Sequence, residues 1–138
     1  MLDRIRDHID RSSSFVDLLG SIQQFRPGSQ VRLGGVAGSL LGFILSSLSR
    51  SLARQILVVI PDRQQAEQLF DDLNLLHGDA IRQFNFHPAQ SSRLDPAFSS
   101  GDSIAALRSL LERSVDIVVA SPGSIAVQLP PPDTLKSN

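Results

Sequence analysis

The sequence predicts an α/β protein: a parallel sheet covered by helices on both faces, behind a short helical lead-in. Three observations carry that expectation. The runs Ile56-Leu57-Val58-Val59-Ile60 and Ile117-Val118-Val119-Ala120 lack the apolar/polar alternation of a half-solvated strand, so both faces of each should be covered. Stretches with helical periodicity separate the strand-like runs, and such alternation is the mark of parallel pairing. A glycine-rich loop, residues 35–42, lies between a short apolar run and a helix, where parallel sheets place binding loops.

Taken in order, residues 2–11 carry Leu2, Ile5 and Ile9 at helical spacing, with Asp3, Arg4, Arg6, Asp7 and Arg11 filling the other positions as a solvated face. A second helix should follow Ser14, with Ser14 and Asp17 as its start signal and Phe15, Leu18, Leu19 and Ile22 on its inner side. Arg26-Pro27-Gly28 ends this lead-in, residues 1–28. Val31-Arg32-Leu33 reads as a short strand entering the glycine loop. Ser39 to Ala53 reads as a helix burying Leu41, Ile44, Leu45, Leu48 and Leu52. After the strand 56–60, Asp62 and Gln65 form a capping-box-like start to a helix burying Ala66, Leu69, Phe70, Leu73 and Leu76 and ended by Gly78. Residues 81–86 should be a strand with Phe84 and Phe86 on one face, and 87–101 a polar loop. Asp102 should cap a helix to Glu112 that buries Ile104, Leu107, Leu110 and Leu111. A last strand, 116–120, turns at Ser121-Pro122-Gly123 into a short helix through Val127, and Leu129-Pro130-Pro131-Pro132 breaks all structure. The sheet domain then spans 29–129, and 130–138 is a Pro-rich linker.

Bulk properties limit the function. The chain has 138 residues, 41% apolar and 20% charged, enough for a core without staples. A net charge of −1 is unlike the strongly basic balance of an autonomous nucleic-acid binder. Without Cys there are no disulfides, thiolate metal sites or Cys nucleophiles. His8, His77 and His87 show no ligand spacing, so no metal is expected. The N-terminus is not a signal peptide, and the apolar runs fall far short of the roughly 20 residues that span a bilayer. A cytoplasmic location without membrane contact is the expectation.

The loop Gly35-Val36-Ala37-Gly38-Ser39-Leu40-Leu41-Gly42 has the shape of a phosphate-binding loop and lacks its chemistry. The pattern G-x-x-x-x-G-K-[ST] needs a Lys for the β/γ-phosphates and a hydroxyl for Mg²⁺. Aligned on Gly35, those final positions are Leu40, Leu41 and Gly42, and the single lysine is Lys136. The loop is therefore either a degenerate phosphate loop or a tight βα turn. No cofactor is expected, although a helix N-terminus can still attract an anion weakly. A dinucleotide-binding reading would use Gly35, Gly38 and Gly42 with Asp62 as the ribose acid, but the spacing is G-x-x-G-x-x-x-G, and Asp62 already has a role as a cap. Other catalytic patterns fail. There is no G-x-S-x-G elbow, His87 and Asp95 fall in a polar loop, and Asp102 reads as a cap.

Two further segments each follow a strand. Pro61-Asp62-Arg63-Gln64-Gln65-Ala66-Glu67-Gln68 resembles the P-T-R-E-L-A-x-Q segment of superfamily 2 helicases, matching at Pro61, Arg63, Ala66 and Gln68. Ser121-Pro122-Gly123-Ser124 resembles their T-P-G-R segment. In those proteins such segments face nucleic acid, which would make Pro61, Asp62, Arg63, Gln68, Ser121, Pro122 and Gly123 vestigial nucleic-acid-facing positions. Prolines that merely start helices would look the same. An acidic D-E-x-x motif is missing, because Asp116 opens its strand instead of closing it.

From Val31 to Lys136 the chain resembles the start of the bacterial transcription-repair coupling factors (Mfd). The resemblance is carried by Gly35 to Ser39, Leu57 to Leu69, the helix from Asp102, Ile117 to Pro122 and Leu129-Pro130-Pro131-Pro132-Asp133. It implies a RecA-like, P-loop-type unit with a degenerate phosphate loop, the first piece of a module resembling the excision-repair protein UvrB. It also implies a longer polypeptide, in which a separate ATP-driven motor displaces stalled RNA polymerase on DNA and the domain following this stretch recruits UvrA. The chain itself would be a catalytically inactive scaffold in DNA repair. The alternatives are the first half of a nucleotide-dependent helicase and a dinucleotide-binding enzyme domain.

Overall fold

A computed structural model describes residues 1–77, 81–84, 101–126 and 132–133. Expectations for Gly78, Phe86, His87, Asp95, Val127, the Leu129–Pro131 stretch and Lys136 fall outside these residues, as do those for the side chains of Phe84, Asp102 and Ile104. The described chain divides into two compact units, Met1–Arg54 and Gln55–Asn138.

The first unit is helical. α1 (Leu2–Asp10) carries Asp3 in its first turn and His8 in its last, an order that suits the helix dipole. α2 (Ser13–Gln23) starts two residues earlier than the Ser14 signal implied, with Ser12 as its cap. The Ser12 hydroxyl accepts from Phe15 N at 3.3 Å and donates to Ile9 O at 2.8 Å, so it caps α2 and closes α1 together. Phe15 and Leu18 are buried, with Leu19 and Ile22 half-buried beside them, as the periodicity predicted. α3 (Leu40–Leu52) packs on α1 and α2. Its inner side holds Phe43, Leu45 and Leu48, and also Ser46, Ser47 and Ser49. Arg50 Nη2 lies 3.4 Å from Asp10 Oδ2 and donates to Ser47 Oγ at 3.4 Å, which ties α3 to α1.

The second unit holds the sheet: β1 (Ile56–Val59), β2 (Ile81–Phe84) and β3 (Ile117–Ala120), with α4 (Arg63–His77), α5 (Gly101–Leu111) and α6 (Pro122–Ile125). All pairing is parallel, in the order β1-β3-β2, with Val59 and Phe84 both opposite Ala120. α4 contacts β2 and β3 while α5 contacts β2. Ala66, Leu69 and Leu73 line the inner side of α4, with Phe70 and Leu76 half-buried. On α5 the buried pair is Ala106 and Leu107; Leu111, expected inside, is exposed, and Leu110 packs against this cluster only in part.

The RecA-like, P-loop-type fold predicted from the sequence is not the fold observed. Among the described residues helix dominates, and the sheet has three strands of four residues each. No strand forms over Val31-Arg32-Leu33, where Val31 is 46% and Leu33 48% exposed. Three residues offer too little pairing to hold a strand without a covered apolar face. The helix after the glycine loop accordingly belongs to the helical unit. Nor, among the described residues, do helices cover both faces of β1: Leu57 is 55% and Val59 39% exposed, while Ile56 and Val58 are half-buried. An apolar run predicts two covered faces for a central strand, and β1 is an edge. β3 alone meets that expectation, with all four residues buried.

Candidate functional site

The glycine loop leads into α3. Gly35 has φ +72° and Gly38 φ +57°, a region that only glycine enters at little cost. A Cβ at either position would meet nothing within 4 Å, so backbone conformation rather than close approach requires them. Leu40 N donates to Ala37 O at 3.3 Å and closes the turn, and Phe43 N donates to Ser39 O at 3.3 Å. Ser39 makes no side-chain cap bond. Leu40 is exposed, Leu41 half-buried and Gly42 buried. Residues 34–42 contain no charged side chain. The loop thus leads into a helix start whose first N–H is already taken by Ala37 O, and it holds no charged side chain to neutralise a triphosphate.

A second group of predicted positions lies at the C-terminal ends of β1 and β3. Parallel register, continued by Ile60 N donating to Ala120 O at 2.9 Å, makes Pro61-Asp62 and Ser121-Pro122 leave the sheet from adjacent strands at one edge. Asp62 Oδ1 accepts from Gln65 N at 2.8 Å, the cap bond expected of it. Its carboxylate has a structural task, which weakens the ribose-acid reading. Arg63 Nε donates to Glu67 Oε1 at 2.9 Å, so its charge is answered within α4. Gln68 and Gly123 are exposed, Ser121 is half-buried, and Pro122 opens α6. The glycine loop belongs to the other unit, and without a strand before it the topological reason to place it at this edge is gone.

The opposite edge of the sheet holds a pair that sequence reasoning missed. His77 Nε2 lies 3.0 Å from Asp116 Oδ2. Ile56 N donates to Asp116 O at 2.8 Å, and Gln55 Nε2 donates to Val115 O at 3.1 Å and Leu110 O at 3.3 Å. The signal was present: a helix between parallel strands ends at their N-terminal edge, where the residue before β3 must lie. Among the described residues no group of three His, Cys, Asp or Glu could hold a metal ion. Nor is any helix among them long and apolar enough to cross a membrane.

Compared with known protein families, with characterised proteins and with solved structures, the chain finds no match.

Proposed function

We propose that the chain is a catalytically inactive interaction module of a DNA repair factor, corresponding to the UvrB-like N-terminal region of the bacterial transcription-repair coupling factors. The observation that carries this reading is the uncharged glycine loop. Leu41 and Gly42 stand in the first turn of α3, where a nucleotide-binding loop presents an ammonium group and a hydroxyl. A fold that keeps the turn and lacks the cation is suited to docking, not to phosphoryl transfer. The segments at 61–68 and 121–124, leaving one sheet edge side by side, support it further. On this reading the chain works in the cytoplasm as part of a longer polypeptide. Its following domain recruits UvrA, and its remaining domains meet RNA polymerase and DNA.

Calorimetric titration tests the proposal. ATP with Mg²⁺, and NAD in a separate run, should give no binding isotherm. The Leu41→Lys variant should still show no ATP turnover, because the loop also lacks its hydroxyl and no acidic metal-binding partner is at hand. Micromolar ATP affinity in the unaltered chain, or turnover in the variant, would favour the helicase reading; NAD binding would favour the dinucleotide reading.

A further inference from the structure

We infer that the free edge of β1 joins two copies of this chain, strand to antiparallel strand, about a two-fold axis at Val58. This property is independent of the function proposed above. Ile56 N donates to Asp116 O and Ile60 N to Ala120 O, so the even-numbered residues of β1 turn their backbone groups towards β3. The odd-numbered ones, Leu57 and Val59, then turn theirs to the open side. No hydrogen bond meets either of them there among the described residues. Their side chains are exposed as well. Edges that stay single are commonly blunted by lysine, proline or a bulge. Residues 56–60 are all apolar, without lysine or proline, and the register of β1 with β3 runs unbroken.

Two features select a second copy as the strand that takes this edge. The first is self-complementarity, which a two-fold contact requires. With Val58 opposite its own equivalent, Leu57 of one copy faces Val59 of the other, and each such pair exchanges both backbone bonds. Leu57 and Val59 of both copies then share one face of the joined sheet and cover one another. Pro61 has no N–H to offer, which limits the ladder to this short stretch. The second feature is charge. The same register sets Arg54 of one copy against Asp62 of the other, at both ends of the ladder. Both residues are exposed. Sliding one strand by two residues, the smallest step that keeps the same backbone groups facing, would set Arg54 against Ile60 or Gln64 instead. Charge and backbone therefore agree on one register.

The test is sedimentation velocity of the whole chain from about 10 μM to about 1 mM, the range suited to a small contact. A concentration-dependent dimer is expected. Arg54→Glu and Asp62→Arg should each weaken it roughly tenfold or more, because each sets like charges opposite one another at both ends. An equal mixture of the two variants should regain the dimer, since the mixed pair again has opposite charges at both ends; a loss of folding in either variant cannot produce that gain. The chain has no cysteine, so a Val58→Cys variant reports the axis directly. It should form a disulfide-linked dimer on oxidation, and Leu57→Cys, which faces Val59, should not. A monomer at every concentration, a mixture no stronger than the single variants, or cross-linking through position 57 as readily as through 58 would each overturn the inference.

Discussion

His77 Nε2 and Asp116 Oδ2 are 3.0 Å apart across 39 residues of chain, and the pair fastens the end of α4 to the residue before β3. Its two partners are unequal. The His77 side chain is 8% exposed and that of Asp116 54%. His77→Ala should therefore cost about 1–2 kcal/mol, because it removes a packed ring as well as a hydrogen bond. Asp116→Ala should cost under about 1 kcal/mol, as half-exposed pairs do. Urea unfolding of both variants measures this, and equal losses would show that ring packing contributes little.

Asp62 fixes the start of α4 through Gln65 N. Asp62→Ala should lower stability by about 1 kcal/mol, the usual loss for an N-cap, while Asp62→Asn should cost only a few tenths. Chemical denaturation checks the ranking, and an Asn variant as weak as the Ala variant would mean that charge, not the cap bond, matters.

Ala53 ends α3 in the left-handed region, with φ +49° and ψ +40°. An L-residue there is strained by about 1–2 kcal/mol. Ala53→Gly should raise stability by about 0.5–1 kcal/mol, although glycine within a helix normally lowers it. A thermal melt that shifts downward would count against the strain.

Leu73 and Leu75 share α4 and contrast in burial. Leu73 is fully buried and Leu75 77% exposed. Leu73→Ala should cost about 2–5 kcal/mol through lost transfer energy and the cavity left behind. Leu75→Ala should stay within about 0.5 kcal/mol. Parallel urea titrations compare them directly.

Local features were legible in the sequence where the controlling physics is local. The inner stripe of α4 and the Asp62 cap depend on residues three or four apart, and Ala66, Leu69 and Leu73 sit where periodicity put them. The buried β3 was legible from its composition. What failed depended on partners far along the chain. Val31 and Leu33 are apolar and β-prone, but a strand needs a neighbour, and none pairs with them among the described residues. Leu57 and Val59 match Val118 and Ala120 in apolar character, and only strand order separates an edge from a centre. At the candidate site, the positive φ of Gly35 and Gly38 could be anticipated from residue type, whereas the His77–Asp116 pair needed topology.

The strand order also dictates a sequence of events during synthesis. Of the three described strands, β3 is the last to leave the ribosome and lies between the other two. β1 and β2 make no ladder with each other, so each must wait, with its backbone groups on water, for residues 117–120 to emerge. A nascent chain stalled before Ile117 can form no ladder among the described strands, and the three-stranded sheet closes only once its central strand arrives.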